Sequence, residues 1–295
     1  MAKLQVLDLF SGIGGFSLGL ERTGGFETVA FCEIEPYPRA VLKKHWPKVP
    51  CYEDVRTLTA DALRRDGIAV DVICGGFPCQ DISFAGAGAG LAGERSGLWR
   101  EYARLIRELR PKFVIVENVS ALLSRGLGAV LGDMAALGFD AEWHCIPAFA
   151  VGAPHRRDRI WIIAYPRGEQ HEGYSAAIGR ALSAQLHAAD SDSESEHAGA
   201  VDAEMGGTPE SLADTDSRDQ HGRRGNVQVG RKRVSSKAAN HDLTGRIEWL
   251  TEPDVGRVAH GVPSRVDRLK GLGNAVVPQI PELIGRAILQ AEGRT

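Results

Sequence analysis

Six short apolar runs alternate with amphipathic stretches across residues 1–165, and this alternation predicts the fold. The runs LQVLDLF, ETVAFCEI, VDVICGGF, KFVIVENV, AEWHCIPAF and RIWIIAY are typical of strands, several of them buried on both faces. Between them, PYPRAVLKKHW, LWREYARLIRELR and LGAVLGDMAALG are typical of helices with one apolar face. Strands and helices in alternation predict an α/β fold with a doubly wound, mostly parallel sheet.

The pattern changes after Tyr165. From Arg167 to Glu248 the only aromatic residue is Tyr174, and the stretch is rich in Ser, Asp, Gly, His and Arg. Such a stretch is either a loosely ordered insertion or a packed second domain. Near the end, VVPQIPELIGRAILQ is typical of a helix that packs back on the first domain. We therefore divide the chain into a first domain at 1–165, a region at 166–260 and a C-terminal segment at 261–295.

Composition places the chain among ordinary globular proteins. Of its 295 residues, 43% are hydrophobic and 25% charged, and the net charge of −3 gives no sign of a nucleic-acid partner. The five cysteines lack CxxC spacing, which argues against a disulfide framework or a metal site and fits a reducing cytosol. Cys32 and Cys74 lie inside apolar runs, where inert thiols are expected. We find no bilayer-length apolar stretch and no signal-peptide core, so we expect a cytoplasmic location without a membrane partner.

A glycine-rich turn, LDLFSGIGGFSLGL, follows the first strand and opens the first helix. Gly12, Gly14 and Gly15 allow the backbone to turn sharply and to approach a ligand closely. The spacing is G-x-G-G, and Ser17 stands at the third glycine of the dinucleotide fingerprint, so that fingerprint is not met.

Acidic residues after the next strands extend the same pocket. Glu33 ends the second strand, where a carboxylate can accept hydrogen bonds from both ribose hydroxyls. Asp54, in CYEDVRTL, is expected to follow a third strand between the runs ETVAFCEI and VDVICGGF, where it is placed to meet an adenine amino group. Together with the glycine turn they predict an adenosine-containing cofactor, with Asp8 and Phe10 lining its pocket.

Groups suited to covalent chemistry fall at the ends of other strands. Cys79, in GGFPCQDIS, ends the fourth strand, and Glu117, in VENV, ends the next. Arg157 and Arg159, in PHRRDRIW, precede a further strand. Open α/β sheets bind ligands at the carboxyl edge of their strands, so we expect thiol, acid and arginines to meet in one crevice.

These motifs, in this order and together with LGNAVVP, resemble the DNA (cytosine-5)-methyltransferases of bacteria and phages. The resemblance covers residues 1–165 and about 262–291. It implies S-adenosyl-L-methionine as cofactor, double-stranded DNA as partner and 166–260 as the target-recognition region. We expect a monomer that either has a cognate restriction endonuclease as a further partner or serves phage self-protection. Asn274 then resembles the family residue near the cofactor, although helix termination alone also explains its neighbouring glycines. Two departures are His155, where the family usually has glutamine, and Phe77 before Pro78, where it often has proline.

The resemblance also implies the chemistry. The Cys79 thiolate adds to C6 of a flipped-out cytosine, C5 accepts the methyl group, and Glu117 supplies a hydrogen bond to N3. Arg159 contacts the ring and positions Glu117, and Arg157 belongs to the same catalytic group. The glycine-rich segment 83–97 either closes over the extruded base or is a plain surface loop.

DNA contacts outside the pocket are expected from Gln80, Ser83 and a basic run at 218–237. That run carries seven basic residues against one acid, and we expect Arg231, Lys232 and Arg233 to neutralise phosphates, although a solvated run has the same composition. An RNA cytosine-5 methyltransferase and a non-catalytic DNA-binding member are the alternatives. A dehydrogenase leaves Cys79 and Glu117 unexplained.

Overall fold

The computed structural model describes residues 2–78, 97–153, 155, 157–168 and 265–294, with a few helical positions between 176 and 184. Within these residues, seven strands form one sheet. The strands are β1 (Leu4–Leu9), β2 (Phe26–Cys32), β3 (Cys51–Tyr52), β4 (Val72–Gly75), β5 (Phe113–Val119), β6 (Phe139–Pro147) and β7 (Asp158–Pro166). Each predicted apolar run forms one of them. The central strand β4 is buried along its whole length, as a run flanked by strands and covered on both faces must be, whereas the edge strand β6 is partly exposed.

Helices cover both faces of the sheet. In chain order they are α1 (Gly15–Arg22), α2 (Pro36–His45), α3 (Ala60–Arg65), α4 (Gly97–Leu109), α5 (Leu122–Arg125), α6 (Leu127–Ala136), α7 (Arg265–Asn274) and α8 (Gln279–Ala291). The periodicity predicted α2, α4 and α6 to within about two residues at each end, which is the ordinary uncertainty of helix limits. Among the described helices, none is long and apolar enough to cross a membrane.

Strand order places the functional crevice. The sheet runs β3-β2-β1-β4-β5-β7-β6, and β1 pairs in parallel with both β2 and β4. The chain first builds outward from β1 to β3 and then returns to β4, so the order reverses between β1 and β4. Ligands of open α/β sheets bind at such a reversal, outside the carboxyl ends of the strands. The doubly wound, mostly parallel fold predicted from the sequence is confirmed.

One strand breaks the parallel arrangement. β7 lies between β5 and β6 and is antiparallel to both, with Glu117 opposite Trp161 and Val119 opposite Arg159. The amino end of β7 therefore meets the carboxyl end of β5. This brings the arginine motif to the crevice.

Two apolar layers pack against the sheet. On one face, α4 contributes Trp99, Tyr102, Leu105 and Ile106, all fully buried, while Leu98 and Leu109 at the ends of its apolar stripe are only partly covered. On the other face, α8 packs on α1 and buries Ile284 and Ile288 between them. The greater part of the region 166–260 lies outside the described residues, and the boundaries at 165 and 260 remain predictions.

Candidate active site

The glycine turn leaves one backbone position open to the crevice. Phe10, Gly12 and Gly14 all have positive φ, at 52°, 53° and 87°. A Cβ atom added at Gly12 would meet nothing within 4 Å, so the backbone of Gly12 borders open space. A non-glycine residue in the left-handed region is uncommon, so the backbone of this turn is strained at Phe10.

The other two glycines of the turn serve packing. A Cβ at Gly14 would lie 2.7 Å from the indole ring of Trp46, and a Cβ at Gly15 would lie 2.7 Å from the carbonyl oxygen of Val276. Both distances are too short for a side chain. Of the three predicted cofactor glycines, Gly12 thus has the geometry for close approach to a ligand, while Gly14 and Gly15 fix the turn against its neighbours.

Glu33 holds the glycine turn together. It is 7% exposed, and its Oε2 accepts a hydrogen bond of 2.7 Å from the amide of Gly12. Its Oε1 accepts a second, of 2.8 Å, from the amide of Glu35. A carboxylate has about four lone-pair sites, so acceptor capacity remains for ribose hydroxyls. Next to it, the apolar side chain of Ile34 is 59% exposed, an unusual state that sequence reasoning did not single out.

Asp8 lies beneath the turn. Its side chain is fully buried, and Ser17 Oγ donates a hydrogen bond of 2.8 Å to its Oδ2. Burial raises the pKa of Asp8 to about 8, although the hydrogen bonds from Ser17 and Cys74 oppose this rise. Asp8 therefore supports the crevice from within the core. Phe10 is only partly buried, and its ring stacks on that of Tyr102 with the ring centroids 6.3 Å apart.

Two further predicted cofactor residues, Asp54 and Asn274, are more exposed than Glu33. Asp54 forms an ion pair of 2.7 Å with Arg56, and this interaction lowers its pKa. Asn274 ends α7 and is exposed. The preceding turn of α7 approaches the glycine turn, because a Cβ at Gly271 would lie 3.5 Å from the side chain of Ile13. The adenine contact of Asp54 and the cofactor contact of Asn274 remain predictions.

Glu117 and Arg159 form the charged centre of the crevice. Arg159 Nε lies 2.8 Å from Glu117 Oε1, and the two side chains are 21% and 15% exposed. Burial raises the pKa of Glu117 above its ordinary value, while the positive charges of Arg159 and Arg157 oppose the rise. A Cβ at Gly76 would lie 2.6 Å from Glu117 Oε2, so the glycine before Phe77 provides the space for this carboxyl. No motif in the sequence pointed to that role of Gly76.

Arg157 lies in the same crevice but bonds elsewhere. Its Nη2 donates a hydrogen bond of 2.9 Å to the carbonyl of Ala275, and its φ is 33°. Burial and the neighbouring charge of Arg159 lower its pKa. The structure therefore brings both predicted arginines to Glu117 but pairs only Arg159 with the carboxylate directly.

Asn118 anchors the segment that leads to Cys79. Its Nδ2 donates a hydrogen bond of 3.1 Å to the carbonyl of Phe77, and its Oδ1 accepts one of 2.9 Å from the amide of Val119. Both Phe77 and Asn118 are buried. The description of this segment ends at Pro78, so the predicted nucleophile Cys79 lies one residue beyond it. The VENV motif drew attention to Glu117 and so to its neighbour Asn118, but it did not reveal that Asn118 anchors the segment before Cys79.

Several predicted residues lie outside the described part of the chain. They are Cys79, Gln80, Ser83, most of the segment 83–97, and the basic residues Arg231, Lys232 and Arg233. His155 is described and exposed. The cysteines expected to be inert, Cys32 and Cys74, are buried, and burial raises the pKa of Cys32 to about 12 and that of Cys74 well above its ordinary value.

Comparison with known proteins identifies the family. Residues 4–242 match the family model of C-5 cytosine-specific DNA methylases. Over 169 residues the chain is 35% identical to the type II methyltransferase M2.BsuMI of Bacillus subtilis (strain 168), which covers 55% of this chain and 42% of that protein. Over 165 residues it is 36% identical to the type II methyltransferase M.Eco47II of Escherichia coli, covering 54% and 39%. The chain thus spans less than half the length of these relatives.

A solved structure shares the fold. Entamoeba histolytica methyltransferase EhMeth matches with a TM-score of 0.50 at 16% identity, covering 57% of this chain and 54% of that one. This likeness bears on architecture alone. The family match extends over most of the chain and includes the glycine turn, Glu33, Glu117 and the arginine motif. It confirms the resemblance drawn from the motifs: the chain belongs to the C-5 cytosine-specific DNA methylase family.

Proposed function

We propose that this protein transfers a methyl group from S-adenosyl-L-methionine to C5 of a flipped-out cytosine in a specific duplex DNA sequence, with Cys79 as nucleophile. The observation that carries the proposal is the partly buried Glu117–Arg159 pair at the carboxyl end of β5. It lies beside Gly76–Phe77–Pro78, the segment that leads directly to Cys79.

The residues around the glycine turn fit the cofactor. The open backbone at Gly12 allows close approach, the buried carboxylate of Glu33 offers acceptors for a ribose, and exposed Ile34 offers an apolar surface for a purine. When bound, S-adenosyl-L-methionine supplies an electrophilic methyl group on a sulfonium. The glycine turn follows β1 and Glu117 lies at the end of β5, and the sheet places β4, whose carboxyl end leads to Cys79, between these two strands.

Cys79 and Glu117 have complementary roles in activating the target cytosine. C5 of cytosine is a weak nucleophile until the thiolate forms a bond to C6, which moves electron density to C5 and N3. A protonated Glu117 donates a hydrogen bond to N3 and stabilises that density, and its raised pKa favours the protonated form. After C5 gains the methyl group, a base removes the C5 proton, the electrons re-form the double bond, and the thiolate leaves C6.

Arg159 orients Glu117 during this sequence. Its guanidinium holds Oε1 at 2.8 Å, which leaves Oε2 free to face N3 from the side that Gly76 keeps clear. The positive charge of Arg159 also opposes the rise of the pKa of Glu117 that burial causes. We further propose that the region 166–260 selects the DNA sequence and that its basic run contacts phosphates, which position DNA without reading bases.

The first experiment compares Cys79→Ser with the wild type and with Cys145→Ser, a matched control at an exposed cysteine on β6. Each protein is incubated with S-adenosyl-L-methionine and unmethylated bacterial DNA, and bisulfite sequencing reads the products. We expect methylated cytosines from the wild type and from Cys145→Ser, and none from Cys79→Ser, which should still bind the cofactor. A duplex with 5-fluorocytosine at the target position should trap a covalent complex only when Cys79 is present.

Near-normal turnover in Cys79→Ser would contradict the assignment of the nucleophile. A parallel incubation with transfer RNA separates the two possible substrates of the same chemistry. Methylation of transfer RNA in the absence of any DNA methylation would overturn the DNA substrate and leave the catalytic assignment intact.

A further inference from the structure

We propose that Arg157 is a positioning residue that ties Glu117 to the C-terminal strap, defined as residues 275–278. Through this link, a change in how the strap packs on α1 changes the position of Arg157 and therefore the surroundings of the Glu117 carboxyl. The inference deepens the function proposed above and rests on it. It gives Arg157 a specific role within the catalytic group to which the resemblance assigned it.

The strap packs directly on α1 through backbone atoms. A Cβ at Gly15 would lie 2.7 Å from the carbonyl oxygen of Val276, and a Cβ at Gly19 would lie 2.1 Å from that of Pro278. Gly15 and Gly19 are four residues apart and therefore share one face of the helix. Because α1 begins at the glycine turn, a shift of the strap is transmitted to the turn, and a shift of the turn is transmitted to the strap.

Arg157 connects this strap to the other side of the crevice. Its Nη2 donates to the carbonyl of Ala275 at 2.9 Å, a contact between residues 118 positions apart in the chain. The backbone of Arg157 is held at a φ of 33°, in the left-handed region that a non-glycine residue enters only when surrounding contacts compensate the strain. The hydrogen bond between Arg157 and the carbonyl of Ala275 is one contact that compensates this strain.

The charge of Arg157 acts on Glu117 without a direct ion pair. Arg159 holds Glu117 Oε1, and the charge of Arg157 adds to that of Arg159 in opposing the rise of the pKa of Glu117. Two guanidinium groups near one carboxylate repel each other, and burial also disfavours the charge on Arg157. The neutral carbonyl of Ala275 therefore holds a guanidinium whose charge both burial and Arg159 disfavour.

The consequence is a physical coupling between the cofactor side and the base side of the crevice. When the strap is correctly packed on α1, Arg157 is held near Glu117. When the strap loosens, Arg157 is released and Glu117 loses part of its positive surroundings. By thermodynamic reciprocity, removal of the Arg157 side chain must also weaken the binding of a cofactor that favours the packed strap.

The test uses the full chain and four variants. Arg157→Ala removes the link, and Val276→Gly loosens the strap without adding a clash at Gly15. The third is the double variant, and the fourth, Arg64→Ala, is a control at an exposed arginine on α3 that pairs with Asp61. Calorimetry measures the affinity for S-adenosyl-L-methionine, single-turnover assays measure methyl transfer to unmethylated bacterial DNA, and thermal melting checks folding.

We expect Arg157→Ala to weaken cofactor affinity about 3- to 10-fold and to slow single-turnover transfer about 10- to 100-fold, since a hydrogen bond from a charged group is lost. Val276→Gly should impair both quantities in the same direction. The double variant should be no worse than Arg157→Ala within about 2-fold, because both changes break one link. Arg64→Ala should match the wild type in both assays.

Unchanged cofactor affinity in Arg157→Ala, or effects of the two single variants that multiply in the double variant, overturns the coupling. If Arg157→Ala melts early, Arg157→Lys replaces it, because lysine keeps the charge while giving up most of the reach to Ala275. Wild-type affinity and rate in Arg157→Lys also overturn the proposal. If the wild type transfers no methyl group to DNA, the proposed function fails, and the affinity measurements still decide the coupling.

Discussion

Replacing Asp8 by asparagine should stabilise the protein at neutral pH and remove a pH dependence from its folding. Asp8 is fully buried on β1, where Ser17 Oγ donates to its carboxyl. Burial raises the pKa of Asp8 from 3.8 to about 8, so the folded protein carries a protonated carboxyl at neutral pH. Asparagine has nearly the same shape, accepts the same hydrogen bond from Ser17 and is neutral at every pH.

The sign and size of the effect follow from proton linkage. In the unfolded chain the carboxyl titrates near 3.8, and in the folded chain near 8. Between these values the unfolded state gives up a proton that the folded state keeps, so wild-type stability falls as the pH rises through this window. From about pH 4 to about pH 7 the contribution lost is roughly 4 kcal/mol, at about 1.4 kcal/mol per pH unit. Above the folded pKa the loss levels off.

Urea unfolding measures this difference directly. The free energy of unfolding of Asp8→Asn, minus that of the wild type, should increase steadily between about pH 5 and about pH 8. In this difference of free energies the contributions of every other titrating group cancel, because those groups are common to both proteins. A matched variant, Asp140→Asn, changes a half-exposed aspartate on β6 that pairs with Arg167. The trend is expected only for Asp8, since burial is what distinguishes the two carboxyls.

A stability difference that stays constant with pH would refute the argument that desolvation keeps Asp8 protonated. The same variant also tests the role of Asp8 at the crevice. Because the side chain has no exposed surface, its replacement by asparagine should change cofactor affinity by less than about 3-fold, which calorimetry can check. A much larger loss would show that Asp8 contacts the cofactor after all.

Three further predictions test the crevice and the basic run. Glu33→Ala should weaken cofactor affinity about 10- to 100-fold by calorimetry, because it removes a charged acceptor and releases the amide of Gly12; unchanged affinity would count against the cofactor site. Asn118→Ala should slow methyl transfer about 10-fold or more at unchanged cofactor affinity, because the segment before Cys79 loses its anchor; a normal single-turnover rate would disprove that role. Neutralising residues 231–233 together should lower the slope of log affinity against log salt by about 2.7 while preserving site preference, and an unchanged slope would exclude their phosphate contacts.

The sequence by itself determined the fold class and the family. Strands buried on both faces must be apolar runs, and helices between them must carry one apolar stripe, so the order of elements is written in local composition. The glycine turn and the position of Glu33 were also local signals, because a tight turn after a strand needs residues that accept positive φ. The motif order identified the methylase family before any contact was known.

Only the tertiary structure decided how these pieces work together. Which glycine faces the crevice depended on where Trp46 and Val276 pack, and the burial that raises the pKa of Asp8 depended on α1 closing over β1. Antiparallel insertion of β7 beside β5 brought Arg159 to Glu117. The contact of Arg157 with the C-terminal strap joins residues 118 positions apart, and no periodicity or spacing encodes such a contact, because it exists only once the sheet and its helices have packed.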